Sequence, residues 1–166
     1  MKPVARISTR GYYDLLTGKT IKNNSYYLYP KQDFKKLIDS KELTIMIHGL
    51  RNDNAGAIAK VVLAKNKLKN LNYSYPVIGY SYDSNTTGAH LMKYAKRSLA
   101  AGQVIAKKNG RNLGKFIEDF KVTSHSTKIR ILLCPCAMTM PYSPNNPSYF
   151  EYFRISCKKE KKYCNC

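Results

Sequence analysis

The run Leu43-Thr44-Ile45-Met46-Ile47 ends directly on His48-Gly49-Leu50. The run is apolar and partly β-branched, and a Gly turn cuts it off before it reaches helical length. It therefore reads as a fully buried strand. A helical pattern opens near Asn54, so the strand feeds a helix across a short loop. That is the unit from which parallel α/β sheets are built. In such sheets ligands bind just outside the carboxyl ends of the strands. His48, Gly49 and Leu50 stand at that place, and the flanking chain reads as support for it.

The same unit recurs downstream. Pro76 to Tyr82 is a second short apolar run, closed by the polar cluster Asp83 to Gly88. A long helical pattern follows through Leu91, Met92, Ala95, Leu99, Val104 and Ile105. Asn109-Gly110 is expected to interrupt it before Leu113, Phe116, Ile117 and Phe120 resume the spacing. Lys128 to Leu133 is a third strand. The order strand, helix, strand, helix, strand over 43–133 predicts right-handed crossovers and a mostly parallel sheet with helices on both faces. In the helix from Asn54, the expected N-cap, to about Leu71, the spacing sets Ile58, Val61, Val62 and Leu68 on one face. Upstream, Val4 to Ser8 and Ser25 to Tyr29 read as strands, and Asp33 to Ser40 as a short helix.

The chain has 166 residues, the size of one domain. Its net charge of +19 is compatible with a polyanionic partner such as nucleic acid. The lysines, however, are spread over helix faces, and the sequence holds neither an Arg-rich block nor an aromatic RNA-stacking motif. No apolar stretch approaches the ~20 residues of a membrane helix. Met1 to Arg6 carries no apolar segment of a secretion signal, so the expected compartment is the cytoplasm. The composition shifts sharply after Leu133. All five cysteines fall between Cys134 and Cys166, together with Pro135, Pro141, Pro144 and Pro147 and the charge run Lys158 to Lys162. Two units follow: 1–133, an α/β domain, and 134–166, a Cys/Pro/Lys-rich tail expected to be poorly ordered.

Residues 43–133 resemble the amino-terminal half of an α/β-hydrolase, of an esterase/lipase-like branch in which the His-Gly loop precedes a Gly-His-Ser-x-Gly elbow. The resemblance rests on the strand ending in His48-Gly49-Leu50, the strand ending in Tyr80-Ser81-Tyr82-Asp83, the long helix and the strand 128–133. It covers about half of the family's domain. It implies an incomplete α/β-hydrolase-type sheet and an ester-type serine-hydrolase ancestry acting on small ester-like substrates without a cofactor. It also implies that His48, Gly49 and Leu50 form the oxyanion loop, where main-chain N–H groups hold the developing negative charge. His48 carries no implied role as a base; its expected task is to fix the loop by hydrogen bonding. The plainer alternative is a satisfied strand-end histidine beside an ordinary Gly turn.

The sequence departs from the family where the nucleophile should stand. After Leu133 it reads Cys134-Pro135-Cys136-Ala137-Met138, with no Ser on a Gly-flanked turn. Residues 134–166 contain no His. The expectation is therefore a chain without nucleophile, acid or catalytic His, and so without turnover. A truncated or shifted reading frame would leave such a break. Read two bases along, the codons of Cys134-Pro135-Cys136 allow Ser followed by Leu or Met. In that case the strand 128–133 is expected to end the sheet with an open, aggregation-prone edge.

Other chemistry competes with this reading. Cys134 or Cys136 as a nucleophile needs a base, and His48 and His125 are possible partners. Cys134, Cys136, Cys157, Cys164 and Cys166 offer enough sulfur for a zinc site, although a one-residue gap is tighter than the usual Cys-x₂₋₄-Cys. The plainer reading of these cysteines is unselected, exposed thiols. Ser81 lacks the glycines of an elbow. The functional alternative to the hydrolase reading is a basic protein that uses the fold as a scaffold to bind nucleic acid or a protein partner.

Overall fold

The computed structural model describes residues 4–22, 25–89 and 91–134, and the strand Phe150–Arg154. Six strands form one mostly parallel sheet: β1 (Arg6–Ser8), β2 (Tyr27–Tyr29), β3 (Glu42–Ile47), β4 (Val77–Ser81), β5 (Lys128–Leu133) and β6 (Phe150–Arg154). Their order is β2-β1-β4-β3-β5-β6, and the β1–β2 pair alone is antiparallel. β3 lies inside the sheet between β4 and β5, in register Ile45 with Ile78 on one side and Ile131 on the other. This neighbourhood is the one that the hydrolase resemblance implies for the His-Gly strand.

Every residue of β3 is buried, because helices cover both faces. The pleat splits the strand. Leu43, Ile45 and Ile47 face α3 (Ala95–Thr123) through Ile105, Leu113, Phe116 and Ile117. Met46 faces α2 (Asn54–Asn70) through Val61 and Ala64. Removing one such side chain down to Ala in a close-packed core costs about 2–5 kcal/mol. At the amino end of the sheet Glu42 is buried and accepts from Tyr73 Oη (2.6 Å) and from the guanidinium of Arg130. The short helix α1 (Lys31–Lys35) sets Phe34 into the same core as α3.

Four sequence expectations are corrected. The N-cap of α2 is Asp53, not Asn54: Asp53 Oδ1 accepts from Gly56 N–H at 2.7 Å. The buried stripe of α2 is Ala57, Val61 and Ala64, while Ile58 and Val62 are half-buried. Small side chains let α2 lie close to β4, where a Cβ on Gly79 would come within 2.7 Å of Val61 Cγ2. Asn109-Gly110 does not interrupt α3. Asn109 is buried, its Nδ2 donates to Ile105 O one turn back, and its Oδ1 accepts from Thr9 and Tyr80. Tertiary partners thus hold a residue pair that is locally a helix breaker. Last, β5 is not an open edge, since β6 pairs with it in parallel from Ile129–Phe150 to Leu133–Arg154. The remainder of the tail, with Cys136, Cys157, Cys164 and Cys166, lies outside the described residues, as does the expectation of poor order there.

Candidate ligand site at the carboxyl end of the sheet

Parallel strands bring the ends of β1, β3, β4 and β5 to one rim. Arg10 follows β1, His48-Gly49-Leu50 follows β3, Tyr82-Asp83-Ser84 follows β4, and Cys134 follows β5. Arg10 ties three of these together. Its Nε donates to Ser81 Oγ at 2.7 Å, and its Nη2 donates to Asp53 O at 2.9 Å and Asn52 O at 3.1 Å. Asp83 Oδ1 lies 3.8 Å from Nη1, while Asp83 Oδ2 accepts from Gly11 N–H at 2.8 Å. A planar, five-donor guanidinium suits such a junction, since it meets several carbonyls at fixed angles. Sequence reading did not single out Arg10, because its partners Asn52 and Ser81 are 42 and 71 positions away in the chain.

His48 is fully buried. Its Nε2 accepts from Tyr82 N–H at 3.1 Å and lies 3.4 Å from Arg10 Nη2. Two donors on Nε2 leave the ring proton on Nδ1, which donates to Gly49 O at 2.8 Å. Burial, with Arg10 nearby, pulls the His48 pKa down from 6.5 to about 4. The imidazole is neutral, both its nitrogens are in use, and its ring stacks on Tyr82 at 4.6 Å. His48 therefore ties the β3 loop to β4, with no lone pair left to serve as a base.

The Gly49 carbonyl accepts from three side chains: His48 Nδ1, Ser84 Oγ at 3.0 Å and Asn52 Nδ2 at 3.0 Å. Asn52 Nδ2 also donates to Leu50 O at 2.8 Å. The peptide joining Gly49 to Leu50 is planar and trans, so its N–H points opposite to its anchored C=O. Leu50 N–H makes no hydrogen bond among the described residues. Three side chains thus pin one oxygen, and the donor on its far side is left open. Arg51, next along, sits at φ 56°, a left-handed conformation that strains a non-Gly residue by roughly 1 kcal/mol or more. Its N–H donates to Ser84 O at 3.0 Å, which holds it there.

A cavity of about 60 Å³ opens beside Leu50 and Arg51, walled by Ala89, Ala95 and Leu99. On the other side of β3, Cys134 is buried and its N–H donates to Ile47 O at 3.0 Å. The Tyr82 hydroxyl is buried and unpartnered, and burial pushes its pKa above the ordinary tyrosine range.

The structure separates the alternatives considered for catalysis. Ser81 Oγ accepts from Arg10 and makes no hydrogen bond to a base among the described residues. His125 lies in the loop before β5, and Cys134 lies after it, so the ~20 Å length of a six-residue strand keeps them apart. His48 is occupied by main-chain groups. Neither His48 nor His125 can activate Cys134. Among the described residues no three His, Cys, Asp or Glu side chains gather as a metal site, and no helix is long and apolar enough to cross a membrane. The chain matches no family model, no curated protein and no solved structure with which it was compared.

Proposed function

We propose that this chain is a protein of α/β-hydrolase type and ester-type serine-hydrolase ancestry. It keeps His48-Gly49-Leu50 as an oxyanion loop and lacks the triad, so that it takes up an acyl oxygen without turning it over. One observation carries the reading: the open Leu50 N–H at the carboxyl end of the central strand, fixed by the triply anchored Gly49 carbonyl. A donor that is already oriented costs no reorganisation when negative charge reaches it, which is what acyl-transfer sites require. The placement of β3 between β4 and β5 supports the reading, since the resemblance puts the His-Gly strand between those two. The sequence after Leu133 supports the loss of turnover, having neither a Gly-flanked Ser nor a His.

Acetate tests the donor, its carboxylate oxygen standing in for an oxyanion. In an amide NMR titration of the whole chain, the Leu50 amide proton is expected to move downfield more than any other. A Leu50 amide that stays still while acetate is raised to saturation elsewhere overturns the assignment.

A further inference from the structure

The cavity beside Leu50 has an unusual polar inventory. Its hydroxyl protons are all spent inside the protein. Ser84 Oγ donates to Gly49 O, Thr86 Oγ1 donates to Ser98 O at 2.9 Å, and Ser98 Oγ lies 2.6 Å from Thr86 Oγ1. The donors left over are Leu50 N–H and the guanidinium of Arg51, an exposed side chain with no ion pair or hydrogen bond among the described residues. No Asp or Glu lines the space. The remaining wall is apolar: Leu50, Ala89, Ala95 and Leu99. The lining thus combines two residues that carry open donors, Leu50 and Arg51, with apolar side chains and no carboxylate.

We propose that this cavity binds short aliphatic carboxylates, the acid half of short-chain acyl esters. The carboxylate would lie against Leu50 N–H and Arg51, and the chain against Ala95 and Leu99. The inference deepens the oxyanion-loop reading and rests on it for the role of Leu50. Size sets the chain length. A cavity of ~150 Å³ holds a benzene ring, so about 60 Å³ takes a tail of only a few carbons. Charge selects the head group, because an ionised acceptor makes roughly twice the hydrogen bond of a neutral one. The left-handed backbone at Arg51 fixes where its side chain leaves the loop.

The test is an amide NMR titration of the full chain with butyrate, its neutral isostere butyramide, and acetate. Butyrate is expected to bind about tenfold more tightly than butyramide and more tightly than acetate, with shifts at Leu50, Arg51, Ala95 and Leu99. Arg51→Gly should reduce butyrate to the level of butyramide. Glycine accepts the positive φ, so this variant should fold, and its own amide spectrum reports whether it does. Ala95→Leu, at an exposed helix start, should weaken butyrate by filling the space while leaving Arg51 in place. Equal binding of butyrate and butyramide overturns the proposal, as does unchanged butyrate binding in either variant. Two outcomes separate it from the oxyanion reading. A Leu50 response to acetate with no gain for butyrate sinks the cavity and leaves the loop. Butyrate binding that depends on Arg51 and shifts Ala95 and Leu99, but not Leu50, supports the cavity and removes the loop's donor.

Discussion

Both nitrogens of His48 are committed to the main chain, and that commitment gives the fold a dependence on acid. Its pKa is about 4 in the folded chain against 6.5 ordinarily, so on acidification the unfolded chain takes up the proton first. The stability is whole above the ordinary pKa and is lost as pH falls through the window between those values, by at most about 3 kcal/mol from this residue. Urea unfolding midpoints at about pH 7 and about pH 4.5 should therefore differ, and His48→Gln should flatten the difference. If the Gln variant loses stability over that range as steeply as the parent, His48 is not the group responsible. The hydrogen-bonding role of His48 was legible in the sequence, because a His-Gly pair closing a buried strand has few other tasks. Arg10, which ties the same loop to β1 and β4, was not. It follows a three-residue strand with no periodic pattern, and nothing local marks a residue whose partners come from the β3 and β4 loops.

The strands and helices of 43–133 were readable because period-two and period-3.6 patterns are local properties of the chain. The misreadings came where packing overrides propensity. Asn109-Gly110 stays helical because Thr9, Tyr80 and Ile105 satisfy the Asn side chain. The strand Phe150–Arg154 is not marked in the sequence as part of the sheet, since its Pro- and Lys-rich surroundings hide a run of high β propensity. The contact between α2 and β4 was also invisible, because it depends on a residue without a side chain. Gly79 faces Val61 Cγ2 so closely that a methyl group would need the β-branched, stiff Val61 to move. Gly79→Ala is expected to destabilise the domain by about 1–3 kcal/mol. Val61→Ala in the same chain should return part of that loss, as neighbours in one contact do not act independently. A double variant no more stable than the sum of the two single losses predicts would show that this contact does not limit the approach of α2.

At the scale of the whole molecule, the parallel sheet gathers the loops after β1, β3, β4 and β5 at one rim, and the proposed function reads that rim as an acyl site without a nucleophile. The general α/β architecture followed from the alternation of elements, whereas the central place of β3 was implied only by the resemblance. The cavity beside Leu50 did not, because it is made jointly by the β3 loop, the β4 loop and the first turns of α3, which meet only in the folded chain. The charge of +19 is spread over the surface, and among the described residues only a few carboxylates pair with it. A molecule of this kind should draw anions toward its loops through its field as well as through Leu50 and Arg51. On the proposed function, the acyl-binding half of a hydrolase site is present and the nucleophile is not. Hydrolysis of a short-chain nitrophenyl ester by the purified chain, read against a boiled control and with a fluorophosphonate added in parallel, tests this most directly. The proposed function predicts no rate above the control and no covalently labelled residue. Turnover abolished by the fluorophosphonate, with a serine carrying the label, would contradict it.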